Sequence, residues 1–415
     1  MNIVSVIIIS VGAFLLLTLI LIGLLLYAKA KLTPGGTVRL RINGEKELVV
    51  EPGSSILTTL SSRKIFLPSA CGGGGTCGLC KCRITSGGGG ILPTETGFFT
   101  RKQQQNQWRL SCQVKVREDL EIEIPEEVLG VKKWECEVVS NHSVATFIKE
   151  LVVKLPPSEE LKFKSGGYIQ IDVPKCNVNF ANDIEVAPEY REDWDKMKIW
   201  DLQMKNPEPT FRAYSMANHP AEGNIVMLNI RIATPPWDRA KGGFSKVNPG
   251  ICSSYLFSRK TGDKVTVSGP YGEFFLQDTQ NEMLFVGGGA GMAPMRSHLF
   301  HLFHTLKTTR KVTFWYGARS KREIFYEEEF RSIEKIFPNF TFTIALSEPL
   351  PSDIWNGSVG FIHKVILDNY LNNHEAPEDI EYYLCGPPLM TNAVTNMLDN
   401  LGVAPENVMF DDFGS

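Results

Sequence analysis

Positive charge is not in excess in this sequence: 43 lysines and arginines stand against 46 aspartates and glutamates, a formal net charge of −3. A chain that grips a phosphate backbone needs a basic surplus, so nucleic acid is not an expected partner. Cysteine is sparse, nine in 415 residues, which excludes a scaffold held by disulfides and fits a reducing compartment. Charge of either sign is missing from the start of the chain, where no Asp, Glu, Lys or Arg precedes Lys29. A disordered composition is missing too, because 43% hydrophobic against 21% charged residues can fill a folded core. At about 150 residues per domain, roughly three domains are expected.

The uncharged run Ile3 to Tyr27 is long enough, as a helix, to exceed the ~30 Å of membrane hydrocarbon. One membrane-spanning helix is expected over residues 3–27. A signal peptide would have a shorter apolar stretch behind a basic start, and Met1-Asn2 carries no side-chain charge. Lys29, Lys31, Arg39 and Arg41 follow at once, which places the N-terminus outside and the remainder in the cytoplasm. With no ionisable group inside the span, this helix reads as an anchor or assembly contact rather than an ion path.

Beyond it, residues 37–51 alternate apolar and polar on both sides of Asn43-Gly44, a hairpin signal, and residues 54–64 suit a short helix. Four of the nine cysteines then crowd into Cys71 to Cys82, within Cys71-Gly-Gly-Gly-Gly-Thr-Cys77-Gly-Leu-Cys80-Lys-Cys82, and Cys112 follows in Leu-Ser-Cys. Thiolates are soft ligands for iron, and glycines let backbone amides turn toward inorganic sulfide. Cys71, Cys77, Cys80 and Cys112 are the expected ligands of a 2Fe-2S cluster. Their spacing is one residue longer in the first gap than the plant-type C-x4-C-x2-C, and resembles vertebrate-type ferredoxins. A zinc ribbon would prefer two C-x2-4-C pairs and has no need of four consecutive glycines. Cys82 opens the strand Cys-Arg-Ile-Thr-Ser, where a small buried residue is its expected role.

Short β-rich runs at 134–155, 168–173, 225–233 and 265–268 predict a small antiparallel barrel. From Met283 the pattern changes to compact strands separated by helical stretches at 295–307, 327–336 and 390–401, the alternation of a parallel α/β sheet. Gly287-Gly-Gly-Ala-Gly-Met-Ala-Pro294 follows the first of these strands and opens a helix, where bare amides hold a pyrophosphate. It does not fit G-x-G-x-x-G, since Met292 stands at the last position.

That loop is one of five motifs in order: Arg212-Ala-Tyr214-Ser215, Gly250-Ile-Cys-Ser253, Gly269-Pro-Tyr-Gly272, Gly288-Gly289-Ala-Gly291-Met-Ala-Pro294 and Cys385-Gly386-Pro. The order resembles the ferredoxin-NADP reductase superfamily. The resemblance implies that Arg212 pairs with flavin phosphate, Tyr214 stacks on the isoalloxazine ring, and Ser215 hydrogen-bonds near the reactive flavin nitrogen. It further implies that Gly250 and Ser253 cover the FAD pyrophosphate, and that Cys385 sits beside the nicotinamide. An aromatic near the C-terminus often covers the other flavin face, which makes Phe413 a gate, with Phe410 as the alternative. NADP-using relatives carry Ser-Arg where this chain has Ser347-Glu348; a carboxylate repels the 2′-phosphate and accepts from a ribose hydroxyl, so NADH is the expected substrate. Arg319, Lys321 and Arg322 form a basic cluster that runs against this preference, although solvated surface charge is the commoner role for such residues.

Ferredoxin, flavin and nicotinamide modules in this order also resemble the reductase components of bacterial aromatic-ring oxygenases, and a membrane-tethered version of these is an alternative. A structural or assembly component is an alternative of another class. The N-terminal anchor, the acidic insertion at 176–210 and the terminal Met409-Phe-Asp-Asp-Phe413-Gly-Ser resemble, more narrowly, the F subunits of the bacterial sodium-translocating NADH:quinone oxidoreductases. That resemblance implies a multidomain chain: a membrane helix at 3–27, a β-grasp 2Fe-2S ferredoxin domain at 36–128, an antiparallel β-barrel FAD domain at 131–278, and an α/β parallel-sheet NADH domain at 281–415. It also implies other membrane subunits of a respiratory complex as partners, quinone as the indirect acceptor, and a place in the bacterial inner membrane.

Overall fold

The computed structural model describes residues 3–32, 36–238, 240 and 242–411. They divide into two compact units, Met1–Ser69 with Gly73–Gly130, and Ala70–Gly72 with Val131–Ser415. Ile3–Leu32 is a single helix of 30 residues, free of the prolines that would break it. Its described side chains, at positions 10–25 and 27, are largely exposed, Phe14 by 68% and Leu25 by 69%. Among the described residues no helix is long and apolar enough to cross a membrane, so the span expected over 3–27 rests on the sequence.

In the first unit the expected hairpin forms. Val38–Ile42 pairs antiparallel with Lys46–Val50, and Asn43 and Gly44 take the left-handed angles (φ 52° and 73°) that such a two-residue turn requires. Val38–Ile42 also pairs in parallel with Leu120–Glu123, and Lys81–Ser86 and Trp108–Leu110 complete a mixed five-stranded sheet. The helix Ile56–Ser62 starts where the Ser55 side chain accepts from Thr58 N, and buries Ile56, Leu57 and Leu60. Each such side chain, with Leu40 and Ile42 in the sheet, adds about 1.5–3 kcal/mol.

The second unit begins with six antiparallel strands in the order Thr210–Ser215, Tyr168–Val173, Lys264–Tyr271, Lys132–Ala145, Ile148–Lys154, Ile225–Arg231. An isolated bridge between Met216 and Leu228, with Ala217 N donating to Met227 O, joins the two ends and closes the barrel. After it comes a parallel sheet in the order Ser358–Val359, Phe340–Leu346, Val312–Ala318, Met283–Gly288, Glu381–Cys385, Val408–Asp411. Both faces are covered. Phe285 and Tyr383 point to one apolar cluster, while Leu284, Val286, Tyr382 and Leu384 point to another, the near-continuous apolar pattern of a strand buried on two sides.

The helix expected at 295–307 begins earlier, at Met292, and continues past Phe300 as a wider turn, His301–Thr305. Pro294 suits that early start, because the first amides of a helix have no helical acceptor and its missing N–H costs nothing there. The edge strand Ser358–Val359 and the helix Ile362–Asn369 were not legible in the sequence pattern.

Candidate functional site

In the first unit, Cys77 is partly exposed while Cys80 and Cys112 are buried. Ser111 N donates to Cys80 O at 2.8 Å, which locks the Cys80 loop to the strand end that carries Cys112. The Cys112 thiol, and burial after it, hold the Cys80 thiol far above its ordinary value. Two desolvated thiols in contact gain most from a cation that takes their protons' place, so the pair suits soft-metal ligation. The loop before them needs its glycines: Gly78 has φ +69°, and a Cβ there would stand 2.5 Å from the Phe98 ring. Cys71 lies in the short segment Ala70–Gly72 that groups with the second unit. Among the described residues no group of three or more His, Cys, Asp or Glu side chains is arranged to hold a metal ion. Cys82 is fully buried in its strand, as expected of a packing residue.

Behind this loop sits a pair that no sequence motif marks. Arg109 and Glu95, 5% and 0% exposed, form a buried ion pair at 2.8 Å. Glu95 also accepts from Leu110 N at 2.8 Å, and Arg109 donates to the carbonyls of Gly88 and Gly89. Every charge is matched, as burial demands. Fourteen residues apart, the two give no local signal.

In the second unit Arg212, Tyr214 and Ser215 occupy the strand Thr210–Ser215, and strand alternation sets Arg212 and Tyr214 on one face. Arg212 Nη1 donates to Phe211 O at 2.7 Å and Thr210 Oγ1 at 3.2 Å, with no carboxylate partner among the described residues, which leaves its charge available to an anion. Burial raises the Tyr214 hydroxyl well above its ordinary value, and the neighbouring Cys252 thiol adds to it. Cys252 itself is pushed up to about 12 by burial. Gly250 caps the start of the helix Ile251–Phe257, and Ser253 lies in its first turn. A Cβ at Gly250 would lie 2.5 Å from Ala233 Cβ, and the Ser253 hydroxyl is engaged with Gly250 O and Ala233 N.

The parallel sheet reverses its strand order between Met283–Gly288 and Glu381–Cys385, the switch point where such sheets bind ligands. Gly287 is in register with Cys385, and Cys385 with Asp411. Gly291 passes so close to Cys385 that a Cβ would meet its carbonyl oxygen at 2.1 Å, so only glycine fits. Gly386 is similarly tight, 2.4 Å from Met390 Cε, and Pro294 is buried in the helix that the loop opens. Cys385 is fully buried. A cavity of about 730 Å³ opens here, lined by Gly288, Gly289, Arg319, Ser347, Glu348 and Pro387 among others. Glu348 is fixed by its own N–H, which donates to Arg319 O at 2.7 Å.

The Ser215 hydroxyl donates to Asp411 Oδ2 at 2.5 Å, tying the barrel strand to the last strand of the parallel sheet beside Cys385. The contact made by Asp411 is a second one that sequence alone does not reveal, since nothing in the sequence distinguishes it from Asp412. Phe413 lies outside the described residues; Phe410 is 65% exposed.

Comparison with known proteins agrees with this layout. Residues 40–117 match the 2Fe-2S iron-sulfur cluster binding domain, 199–276 the oxidoreductase FAD-binding domain, and 285–396 the oxidoreductase NAD-binding domain. Among solved structures, the Amycolatopsis cytochrome P450 reductase is similar over 91% of this chain and 99% of its own (21% identity, TM-score 0.60). The ferredoxin reductase of carbazole 1,9a-dioxygenase is similar over 91% and 98% (24% identity, TM-score 0.58), and both share the fold. The F subunit of the Na(+)-translocating NADH-quinone reductase of Neisseria meningitidis serogroup B is 53% identical over 408 residues, 98% of this chain and 99% of that one. Its counterpart in Pseudomonas aeruginosa is 53% identical over 405 residues, 98% of each. The chain therefore belongs to the family of F subunits of the Na(+)-translocating NADH-quinone reductases.

Proposed function

We propose that this chain is the NADH-oxidising, electron-input component of a sodium-translocating NADH:quinone oxidoreductase, with FAD and a 2Fe-2S cluster as its cofactors and membrane subunits as its electron acceptors on the way to quinone. The observation that carries this reading is the Ser215–Asp411 hydrogen bond, which brings the Arg-x-Tyr-Ser strand to the sheet end that holds Cys385 and the glycine loop. FAD supplies acceptance of a hydride and release of its electrons singly, and the cluster supplies one-electron carriage.

The residues divide that work. Arg212 would hold flavin phosphate, Gly250 and the helix it opens the pyrophosphate, and Tyr214 the ring face. Ser215, oriented by Asp411, would place its hydroxyl near the reacting flavin nitrogen. Gly288, Gly289 and Gly291 would cradle the pyrophosphate of NADH, Glu348 would accept from its adenosine ribose, and Cys385 would lie beside the nicotinamide, with Phe413 as the gate over the flavin. Cys71, Cys77, Cys80 and Cys112 would hold the cluster. No side chain is required as a general acid or base.

The apolar run Ile3 to Tyr27 supports the further reading that the chain is anchored in the inner membrane by one span, with its cofactor domains on the cytoplasmic side of Lys29 and Lys31. Purification from the native membrane tests the whole reading: the chain should copurify with membrane subunits and carry FAD, iron and sulfide. Copurification with an oxygenase instead would overturn the assignment to a quinone-reducing complex.

A further inference from the structure

The insertion in the barrel is not a loose lobe. Cys176–Asn179 pairs antiparallel with Gln203–Asn206 at its base, and short helical turns run between them. Val178, Phe180, Trp194, Ile199 and Met204 are buried in the same apolar core as the barrel strands. The Trp194 indole N–H donates to Thr146 O at 2.7 Å, and the Tyr190 hydroxyl donates to Val144 O at 3.1 Å. Both acceptors lie at the hairpin end where Lys132–Ala145 turns into Ile148–Lys154, and Phe147 and Ile148 of that end line the cavity at the switch point.

Two independent contacts aim the insertion at that cavity. Met197 and Ile199 line it directly. Asp193 and Glu192 reach Arg322 at 2.9 and 3.6 Å, and Arg322 sits in the short stretch between Arg319 and Glu323, which line the same cavity. The Thr146 hydroxyl, on the far side of this junction, hydrogen-bonds Glu323. The Arg322 and Asp193 side chains are 28% and 25% exposed, so the pair is screened less than a surface bridge. Arg322 Nε already lacks a partner, and losing Asp193 would leave the guanidinium less satisfied still.

We infer that this insertion is a wall of the NADH pocket that sets affinity for the dinucleotide: Met197 supplies apolar surface, Ile199 backs it from the core, and the Arg322–Asp193 clasp fixes the Arg319–Glu323 stretch in the position that accepts the dinucleotide. The inference rests on the cavity being the NADH site. It makes Arg322 and Asp193 positioning residues, and it gives the basic cluster at 319–322 a partner within the chain.

The test uses the full-length protein in detergent, with FAD content and the cluster spectrum as controls for folding. Asp193→Ala and Arg322→Ala should each raise both the KM for NADH and the calorimetric dissociation constant for ADP-ribose by roughly tenfold with kcat unchanged. The exchanged pair Asp193→Arg with Arg322→Asp should recover most of the loss. Single variants that keep FAD and bind ADP-ribose as the parent does would overturn the inference. Should the clasp variants lose FAD, Met197→Glu decides, because a carboxylate at that half-buried wall must weaken ADP-ribose binding, and unchanged binding overturns the proposal. A parent protein that binds no ADP-ribose would instead overturn the NADH-site reading, and this wall with it.

Discussion

Glu348 lines the cavity, with its N–H donating to Arg319 O, and on the proposed reading its carboxylate would face the 2′-phosphate of NADPH. Glu348→Arg removes the like-charge repulsion and supplies a phosphate partner, so the ratio of kcat/KM for NADPH to that for NADH should rise by at least roughly tenfold. Steady-state kinetics with both nucleotides checks it, and an unchanged ratio would move selectivity elsewhere. Cys77→Ala should abolish the reduced-cluster EPR signal while NADH still bleaches the flavin, because hydride transfer lies upstream; a normal 2Fe-2S spectrum in that variant would refute the ligand assignment. A third prediction concerns acid stability. His298 is fully buried, with Nδ1 bonded to Ser165 Oγ, and burial pushes it from 6.5 down to about 3. Below pH 6.5 the unfolded chain takes up a proton that the folded chain refuses, so stability is lost as pH falls toward 3, on the order of a few kcal/mol. Thermal unfolding from pH 7 to pH 4 should show a shallower loss in His298→Gln than in the parent; equal slopes would assign the acid limb to other groups. The cysteines and the Arg-x-Tyr-Ser strand were legible because metal ligation and flavin stacking demand residue types at fixed spacing. Asp411, Glu95 and Arg109 were not, because each acts through a partner distant in sequence.

The elements show where pattern suffices and where it fails. The hairpin about Asn43-Gly44 and the helix Glu327–Ile336 follow from turn chemistry and from periodicity, and they form as those signals dictate. The strand Ser358–Val359 is two residues long and has no period to read. The helix that starts at Met292 follows the close pass of Gly291 against Cys385 O, a contact between a turn and a strand far apart in sequence. The N-terminal helix presents Phe14, Leu16 and Leu25 largely exposed, an arrangement that suits lipid and is costly in water. Deleting residues 1–30 should therefore yield a protein soluble without detergent that still binds FAD and reduces artificial acceptors with NADH. Loss of FAD binding on truncation would show that the helix belongs to the fold of the cofactor domains.

For the whole molecule, the electron path is set by which residues meet in each unit. Ser215 meets Asp411, which is in register with Cys385, in the second unit, while Cys80 at the end of the glycine loop meets Cys112 in the first. On the proposed reading, hydride chemistry would take place in the second unit, while three of the four cluster ligands, Cys77, Cys80 and Cys112, lie in the first. The succession of modules could be read from sequence because each carries its own motif. The closure of the barrel through Met216 and Leu228, and the role of the insertion at its rim, depended on tertiary contacts. The most direct test of this division is anaerobic rapid mixing of the purified chain with NADH, following flavin absorbance and freeze-quenched EPR together. Flavin bleaching is predicted to come first, with the reduced-cluster signal growing at its expense. A cluster signal that appears before the flavin bleaches, or flavin reduction that never reaches an intact cluster, would contradict the account.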